Sequence, residues 1–159
     1  MKVIVYPGSF DPITNGHLQI AKEALKSFDK VILLVANNNN KKERFTNLER
    51  YEMVKGAVEG IEGLEAARTD GMTVDFLKKE GTCYLLRGIR NNLDMKYEED
   101  YAKQIHAMDK SVEFVYIASS EEYSSISSTS IHEMALAKKD IDKYVPKSVV
   151  ERYKKAVRS

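Results

Sequence analysis

Cysteine is nearly absent: Cys83 is the single one in 159 residues. That excludes an internal disulfide and a cysteine-rich zinc site. Cys83 opens the apolar run Cys83-Tyr84-Leu85-Leu86, where a thiol is expected to be buried and structural. An excess of one charge is missing too, the formal net charge being +1. Nothing in that balance points to nucleic acid or a membrane surface as a partner. No stretch reads as a signal peptide or a membrane span, and Met1 leads straight into an apolar run, so a cytoplasmic location is the default expectation. Two phosphate-binding loops are absent as well: there is no Gly-x-x-x-x-Gly-Lys and no Gly-x-Gly-x-x-Gly. No internal repeat, linker or low-complexity tail divides the chain, and the asparagine run at 37–40 is too short to count as one. Length suggests one domain over 1–159. At 43% hydrophobic and 31% charged, its composition is that of an ordinary globular chain.

What is present is an alternation of strand and helix patterns. Apolar runs at Lys2–Tyr6, Val31–Ala36, Leu64–Ala67, Tyr84–Leu86 and Glu113–Ala118 read as strands. Runs apolar on both faces suit a parallel sheet covered on both sides. Between them, helices are expected with Leu18, Ala21, Leu25 and Phe28 on one inner face, and Leu48, Tyr51, Val54 and Val58 on another. Thr46 and Glu49 would form a capping box for the second of these. A short helix over Thr73–Glu80 closes at Gly81. A long one carries Leu93, Tyr97, Tyr101, Ile105 and Met108 inward. The last two bear Ile131, Met134 and Ala135, and then Val149, Tyr153 and Val157 behind Pro146. The order predicts an α/β fold: a doubly wound, open sheet of about five parallel strands with helices on both faces and ligands at the carboxyl ends of the strands.

Polar residues collect after those strands. Tyr6-Pro7-Gly8-Ser9-Phe10-Asp11-Pro12-Ile13-Thr14-Asn15-Gly16-His17 runs from the first strand to a helix start, a place suited to phosphate. By spacing alone it reads equally as a glycine-rich turn whose histidine caps or packs. Lys41 and Lys42 follow the second strand, where two solvated lysines are the plain reading. Arg87-Gly88-Ile89-Arg90 follows the fourth, two guanidinium groups being suited either to phosphate or to surface ion pairs. Ile126-Ser127-Ser128-Thr129-Ser130 precedes a helix with more hydroxyls than one cap needs, Ser130 and Glu133 being a plausible capping box. In a parallel sheet all these loops share one edge.

The first stretch resembles the nucleotide-binding signature of the nucleotidylyltransferase superfamily, with its Thr/His-x-Gly-His core. Within it, the full stretch is very similar to the bacterial phosphopantetheine adenylyltransferases. Leu86-Arg87-Gly88-Ile89-Arg90 and Ile126-Ser127-Ser128-Thr129 resemble further motifs of that family, in the family's order. The resemblance implies a Rossmann-like enzyme that moves the adenylyl group of ATP to 4′-phosphopantetheine, giving dephospho-coenzyme A and pyrophosphate. It implies His17 as the transition-state stabiliser. Ser9, Lys41, Thr73 and Arg87 are implied on the acceptor side. ATP would be held by Ser9, Phe10, His17, Gly88, Ile89, Arg90 and Glu98, and by Tyr123, Ser124, Ser125, Ile126, Ser127, Ser128 and Thr129. Magnesium is the implied cofactor and a homohexamer the implied assembly; the sequence offers no carboxylate cluster for the metal, so coordination mainly by phosphates and water is expected. Met95, Lys96 and His132 depart from the relatives' pattern. Another phosphorylated acceptor, such as nicotinate mononucleotide, and a non-catalytic nucleotide sensor are the alternatives.

Overall fold

A computed structural model describes residues 1–38, 42–90 and 92–158, with side chains throughout except at 92–94 and 156–158. The elements in order are β1 (Val3–Gly8), α1 (Asn15–Ala24), β2 (Lys30–Val35), α2 (Asn47–Val58), β3 (Leu64–Arg68), α3 (Thr73–Glu80), β4 (Tyr84–Ile89), α4 (Asn92–Met108), β5 (Glu113–Ala118), α5 (Ser128–Leu136) and α6 (Lys147–Arg158). The five strands form one sheet in the order β3-β2-β1-β4-β5, with every pairing parallel.

The chain steps outward from β1 to β3, then returns across β1 to β4 and β5. Right-handed crossovers in opposite directions put their helices on opposite faces. Accordingly Leu18, Met53, Val54, Ile131 and Val149 pack with Ile4, Tyr6 and Leu33 on one face. Val74, Leu77 and Ile105 pack with Val5, Ile32 and Leu34 on the other. Both faces are covered, which is why the strands read as unbroken apolar runs.

The reversal leaves a crevice between β1 and β4, the topological switch point of such sheets. The described β1–β4 register is confined to Val5 opposite Leu85, whereas β1 matches β2 over six positions and β4 matches β5 over six. Pro7 has no N–H to offer a ladder there. Its carbonyl instead accepts from Arg87 Nη1 at 2.8 Å.

Several expectations shift by local competition. Arg87-Gly88-Ile89 is strand rather than loop, because β5 keeps pairing with it as far as Ile89 opposite Ala118. On α2, Arg50, Met53, Val54 and Val58 face inward while Leu48 is 47% exposed; the Arg50 guanidinium claims the inner position by finding carbonyl oxygens there. On α4, Glu98 and Ile105 are buried, while Tyr97 and Met108 are exposed. Leu93 and Val157 fall outside the described side chains. Phe28 lies beyond the end of α1 but is buried. Cys83 is half-buried rather than buried. The Thr46–Glu49 box, the left-handed Gly81 and the inward Val149 and Tyr153 stand as expected. Among the described residues, no helix is long and apolar enough to cross a membrane.

Candidate active site

β1 delivers Tyr6, Pro7 and Gly8 to the carboxyl edge, and the chain then turns sharply. Phe10 takes a left-handed backbone (φ 48°), and the Asp11–Pro12 bond is cis. A positive φ is costly for a bulky residue and persists only where the surroundings hold it. Phe10 is 2% exposed, with its ring edge-on to Tyr6 at 5.4 Å and His17 at 5.1 Å. The Asp11 carboxylate is buried and accepts the backbone N–H groups of Arg44 (2.7 Å) and Phe45 (3.0 Å), tying this turn to the segment that enters α2.

Thr14 caps α1, and His17 is the third residue of that helix. His17 Nδ1 accepts the backbone N–H of Thr14 at 2.9 Å. An Nδ1 lone pair used this way leaves the ring proton of a neutral imidazole on Nε2, so Nε2 is the donor nitrogen. A Cβ on Gly16 would meet Thr14 Oγ1 and Tyr123 Cβ at 3.4 Å, so a longer side chain would intrude between α1 and the segment before α5.

From β4, Arg87 reaches across the crevice. Its Nε and Nη2 donate to the Glu98 carboxylate at 2.8 and 2.9 Å, Nη1 donates to Pro7 O, and the group lies 4.5 Å over the Tyr101 ring. The pair is largely shielded, the side chains being 15% and 7% exposed. Burial works against the Arg87 charge, but the Glu98 hydrogen bonds and charge outweigh it, so its pKa is raised. Burial likewise pushes the Tyr6 hydroxyl up, against the nearby Arg87 charge. Three of the five guanidinium N–H bonds are thus committed and two remain for a ligand. Arg90 donates to Ile126 O at 3.0 Å and pins the segment before α5 against β4.

At the start of α5, Ser127 is the cap and Ser130 its partner, three residues earlier than the Ser130–Glu133 box expected. Ser127, in extended backbone, already closes the helix end, so Ser130 sits within the first turn. Ser128 donates its hydroxyl to Pro12 O, and Ser130 donates its own to Ser127 O. Ser127 and Thr129 instead accept, from Ser130 N–H and Arg44 Nη2. Their hydroxyl protons have no described acceptor.

These elements enclose two adjoining cavities. One, of about 300 Å³, lies between α1, β4 and the start of α5, lined by His17, Arg90, Tyr123, Ser127 and Thr129 among others. The second, of about 550 Å³, lies towards α3 and α4, lined by Asn37, Thr73, Tyr101 and Gln104 among others. Both touch Pro7, Gly8, Ser9, Arg87 and Tyr97. The N-terminal turns of α1 and α5 border the first, which therefore combines cationic side chains with helix N-termini, both favourable to anions. The arrangement can hold two phosphorylated molecules with their phosphates meeting near Arg87. The carboxylate lining the first cavity is Glu98, with both oxygens engaged by Arg87. Among the described residues, no three of His, Cys, Asp and Glu gather as a metal-binding group. The donors therefore fit a cation carried in on a nucleotide's phosphates.

Residues 5–134 match the cytidylyltransferase-like family. The phosphopantetheine adenylyltransferase of Limosilactobacillus reuteri is 39% identical over 155 residues, covering 98% of this chain and 90% of that protein. Its namesake in Clostridium perfringens is 38% identical over 159 residues, covering 100% and 97%. This chain belongs to the phosphopantetheine adenylyltransferase family. A putative nicotinate-nucleotide adenylyltransferase from Vibrio parahaemolyticus has the same fold, with a TM-score of 0.65 at 20% identity, covering 96% of this chain and 99% of that one.

As a member of the phosphopantetheine adenylyltransferase family, the chain brings most of its expected site residues together. Ser9 and Arg87 line both cavities, and Thr73 lines the second. Phe10, His17, Gly88, Arg90, Glu98, Tyr123, Ile126, Ser127, Ser128 and Thr129 line the first. Ile89, Ser124 and Ser125 are not part of either lining: Ile89 is held in the β4–β5 ladder, and Ser124 donates to Glu121 O. Lys41 lies outside the described residues. Sequence reasoning missed Asp11, Arg44 and Arg50. Arg50 is fully buried and donates to Ser9 O, Ala36 O, Phe45 O, Asn37 Oδ1 and Glu43 Oε2. The signal for Arg50 was its place on a helix face otherwise made of Met53, Val54 and Val58, since an arginine there must find acceptors inside the protein.

Proposed function

We propose that the chain transfers the adenylyl group of ATP to 4′-phosphopantetheine, releasing dephospho-coenzyme A and pyrophosphate, in the synthesis of coenzyme A. The observation that carries this reading is the meeting of two cavities at Arg87 and the turn from Pro7 to Ser9. ATP occupies the cavity beside α1 and α5, and phosphopantetheine the roomier one, of about 550 Å³, beside α3 and α4.

An oxygen of the acceptor phosphate attacks the α-phosphorus. That bond forms as the bond to the β-phosphate oxygen breaks, and the electron pair leaves with pyrophosphate. The acceptor is already anionic, so no side chain has to remove a proton. What the protein supplies is alignment and stabilisation of developing charge. His17 Nε2–H, held in that tautomer by Thr14 N–H, donates to the α-phosphate oxygens as charge builds there. Arg87, braced by Glu98 and Pro7 O, grips the acceptor phosphate with its two uncommitted N–H bonds. Ser9 adjoins both ligands, and Thr73 borders the pantetheine arm. Arg90, Ser127, Thr129 and the amides of α5 hold the leaving phosphates. Magnesium, brought in on those phosphates, would neutralise charge on the pyrophosphate, while Arg90 and the hydroxyls of Ser127 and Thr129 would hold the phosphates that carry it. Lys41 joins the acceptor side by family resemblance.

A homohexamer working in the cytoplasm, where ATP is supplied, completes the proposal. Its support is family resemblance and the exposed apolar side chains Met95, Met108 and Tyr116 on α4 and β5, which an assembly would cover. The test of function is pyrophosphate release from ATP and magnesium with either 4′-phosphopantetheine or nicotinate mononucleotide as acceptor. Release with phosphopantetheine alone is expected. Release with the mononucleotide alone would keep the ATP cavity and overturn the acceptor side, and ATP binding without release in either case would favour a sensor.

A further inference from the structure

Arg44 lies outside every role assigned above, yet its guanidinium stands directly behind Thr129, which lines the ATP cavity. Nη2 donates to Thr129 Oγ1 at 2.6 Å and Nη1 to Asp11 O at 2.8 Å. The backbone at the base of this side chain is fixed as well, because Arg44 N–H and Phe45 N–H share the buried Asp11 carboxylate. The guanidinium's own hydrogen-bond partners are neutral oxygens, with the Asp11 carboxylate bound to the backbone N–H of the same residue, and the guanidinium cannot titrate away. The charge also reaches the neighbouring imidazole: burial first, and the Arg44 charge second, lower the pKa of His132.

The hydrogen bond from Arg44 decides which way Thr129 points its proton. A hydroxyl that accepts a strong donor keeps its own O–H for another acceptor. Thr129 lines the cavity, and its proton has no described partner there. Ser128 and Ser130, by contrast, spend their protons on Pro12 O and Ser127 O.

We propose that Arg44 is a positioning residue for the leaving pyrophosphate: it turns the Thr129 hydroxyl proton towards the phosphates and fixes a positive charge behind it. It links the turn after β1, the entry to α2 and the start of α5, so one side chain spans three segments bordering the site. The inference rests on ATP occupying the first cavity. It does not depend on the identity of the acceptor.

The experiment is calorimetric binding of inorganic pyrophosphate with magnesium, in the absence of any acceptor, to the intact chain and to R44Q, R44K, T129V and R44Q/T129V. Removing one charge-assisted hydrogen bond from an anion site predicts about ten-fold weaker binding for R44Q. T129V, which keeps the side-chain shape and the Asp11–Arg44 hydrogen bonds, predicts a similar weakening. The double variant should bind no more weakly than about the worse single one, because both remove one linked device. R44K should recover part of the affinity by keeping the charge without the fork. In turnover, KM for ATP should rise with R44Q while KM for the acceptor holds. Wild-type affinity in R44Q or T129V would overturn the proposal, as would effects that multiply in the double variant. If R44Q fails to fold, T129V alone decides. An intact chain that binds pyrophosphate but ignores phosphopantetheine would sink the acceptor assignment and leave Arg44 testable; one that binds neither ATP nor pyrophosphate overturns both.

Discussion

Replacing Glu98 by alanine strips the Arg87 guanidinium of its anionic partner while leaving it in a shielded crevice. Both Glu98 oxygens are engaged, at 2.8 and 2.9 Å, and the side chains are 15% and 7% exposed. Removing one member of a buried pair costs about 3–5 kcal/mol, because the other is left uncompensated. Partial exposure places this pair at the lower end, about 3 kcal/mol. For a chain of this length that is a fall in Tm of about 6–12 °C. Arg87 would also lose the brace that aims it, so KM for phosphopantetheine should rise about ten-fold while KM for ATP stays within about two-fold, ten-fold being the effect of one good hydrogen bond removed. The double variant R87Q/E98Q should regain much of the stability, since removing both charges removes the desolvation cost, and should still fail to use the acceptor. Thermal unfolding and steady-state pyrophosphate release read both effects. An E98A protein that melts within a degree or two of wild type, with unchanged acceptor KM, would refute the bracing argument. A rise confined to KM for ATP would instead make Glu98 a direct nucleotide ligand.

H17A should lower kcat by about 10²–10³, the usual loss on removing one transition-state donor, with circular dichroism unchanged; near-normal turnover would remove His17 from its role. G88A should destabilise by about 1–3 kcal/mol on chemical denaturation, because a methyl there would overlap Ile20 Cδ1 and approach Tyr6 Oη; a neutral outcome would mean Ile20 moves freely aside. T46A should lose about 1 kcal/mol at neutral pH by removing the α2 cap. The Thr46 backbone N–H, and secondarily its hydroxyl, hold the Glu49 carboxyl below its ordinary value of 4.5. A lowered folded pKa stabilises above the unfolded value and that gain fades as pH falls through the folded one. That gain belongs to the Glu49 carboxylate, and T46A keeps the backbone N–H that holds it; the advantage of wild type over E49Q, not over T46A, should therefore shrink in melts as pH falls below about 4.5, and an E49Q gap that stays constant down to pH 2 would contradict it.

The sheet was legible because its strands are unbroken apolar runs, and the first motif because a strand, a turn and a capped helix follow one another in sequence. Thr14, Thr46 and Gly81 act through neighbours three or four residues away, so local sequence contains what they need. Apart from the α5 cap, the misreadings involve partners outside the local window. β4 extends to Ile89 because β5 pairs with it, and nothing local signals that. Glu98 turns inward because Arg87 waits there, against the expectation that Tyr97 would occupy the inner face. The α5 cap falls at Ser127 rather than Ser130, a choice that repeated serines leave open to sequence reading. Asp11, Arg44 and Arg50 read as ordinary charged residues and acquire meaning once the segments at 11, 44–45 and 129 converge.

The most direct test of the central claim, that the acceptor's own phosphate attacks the α-phosphorus where the two cavities meet, is to follow oxygen. Phosphopantetheine labelled with ¹⁸O in its phosphate would be turned over with unlabelled ATP and the products weighed by mass spectrometry. The account predicts that dephospho-coenzyme A retains all the label and that pyrophosphate carries none. Label in pyrophosphate, or its loss from dephospho-coenzyme A, would contradict it.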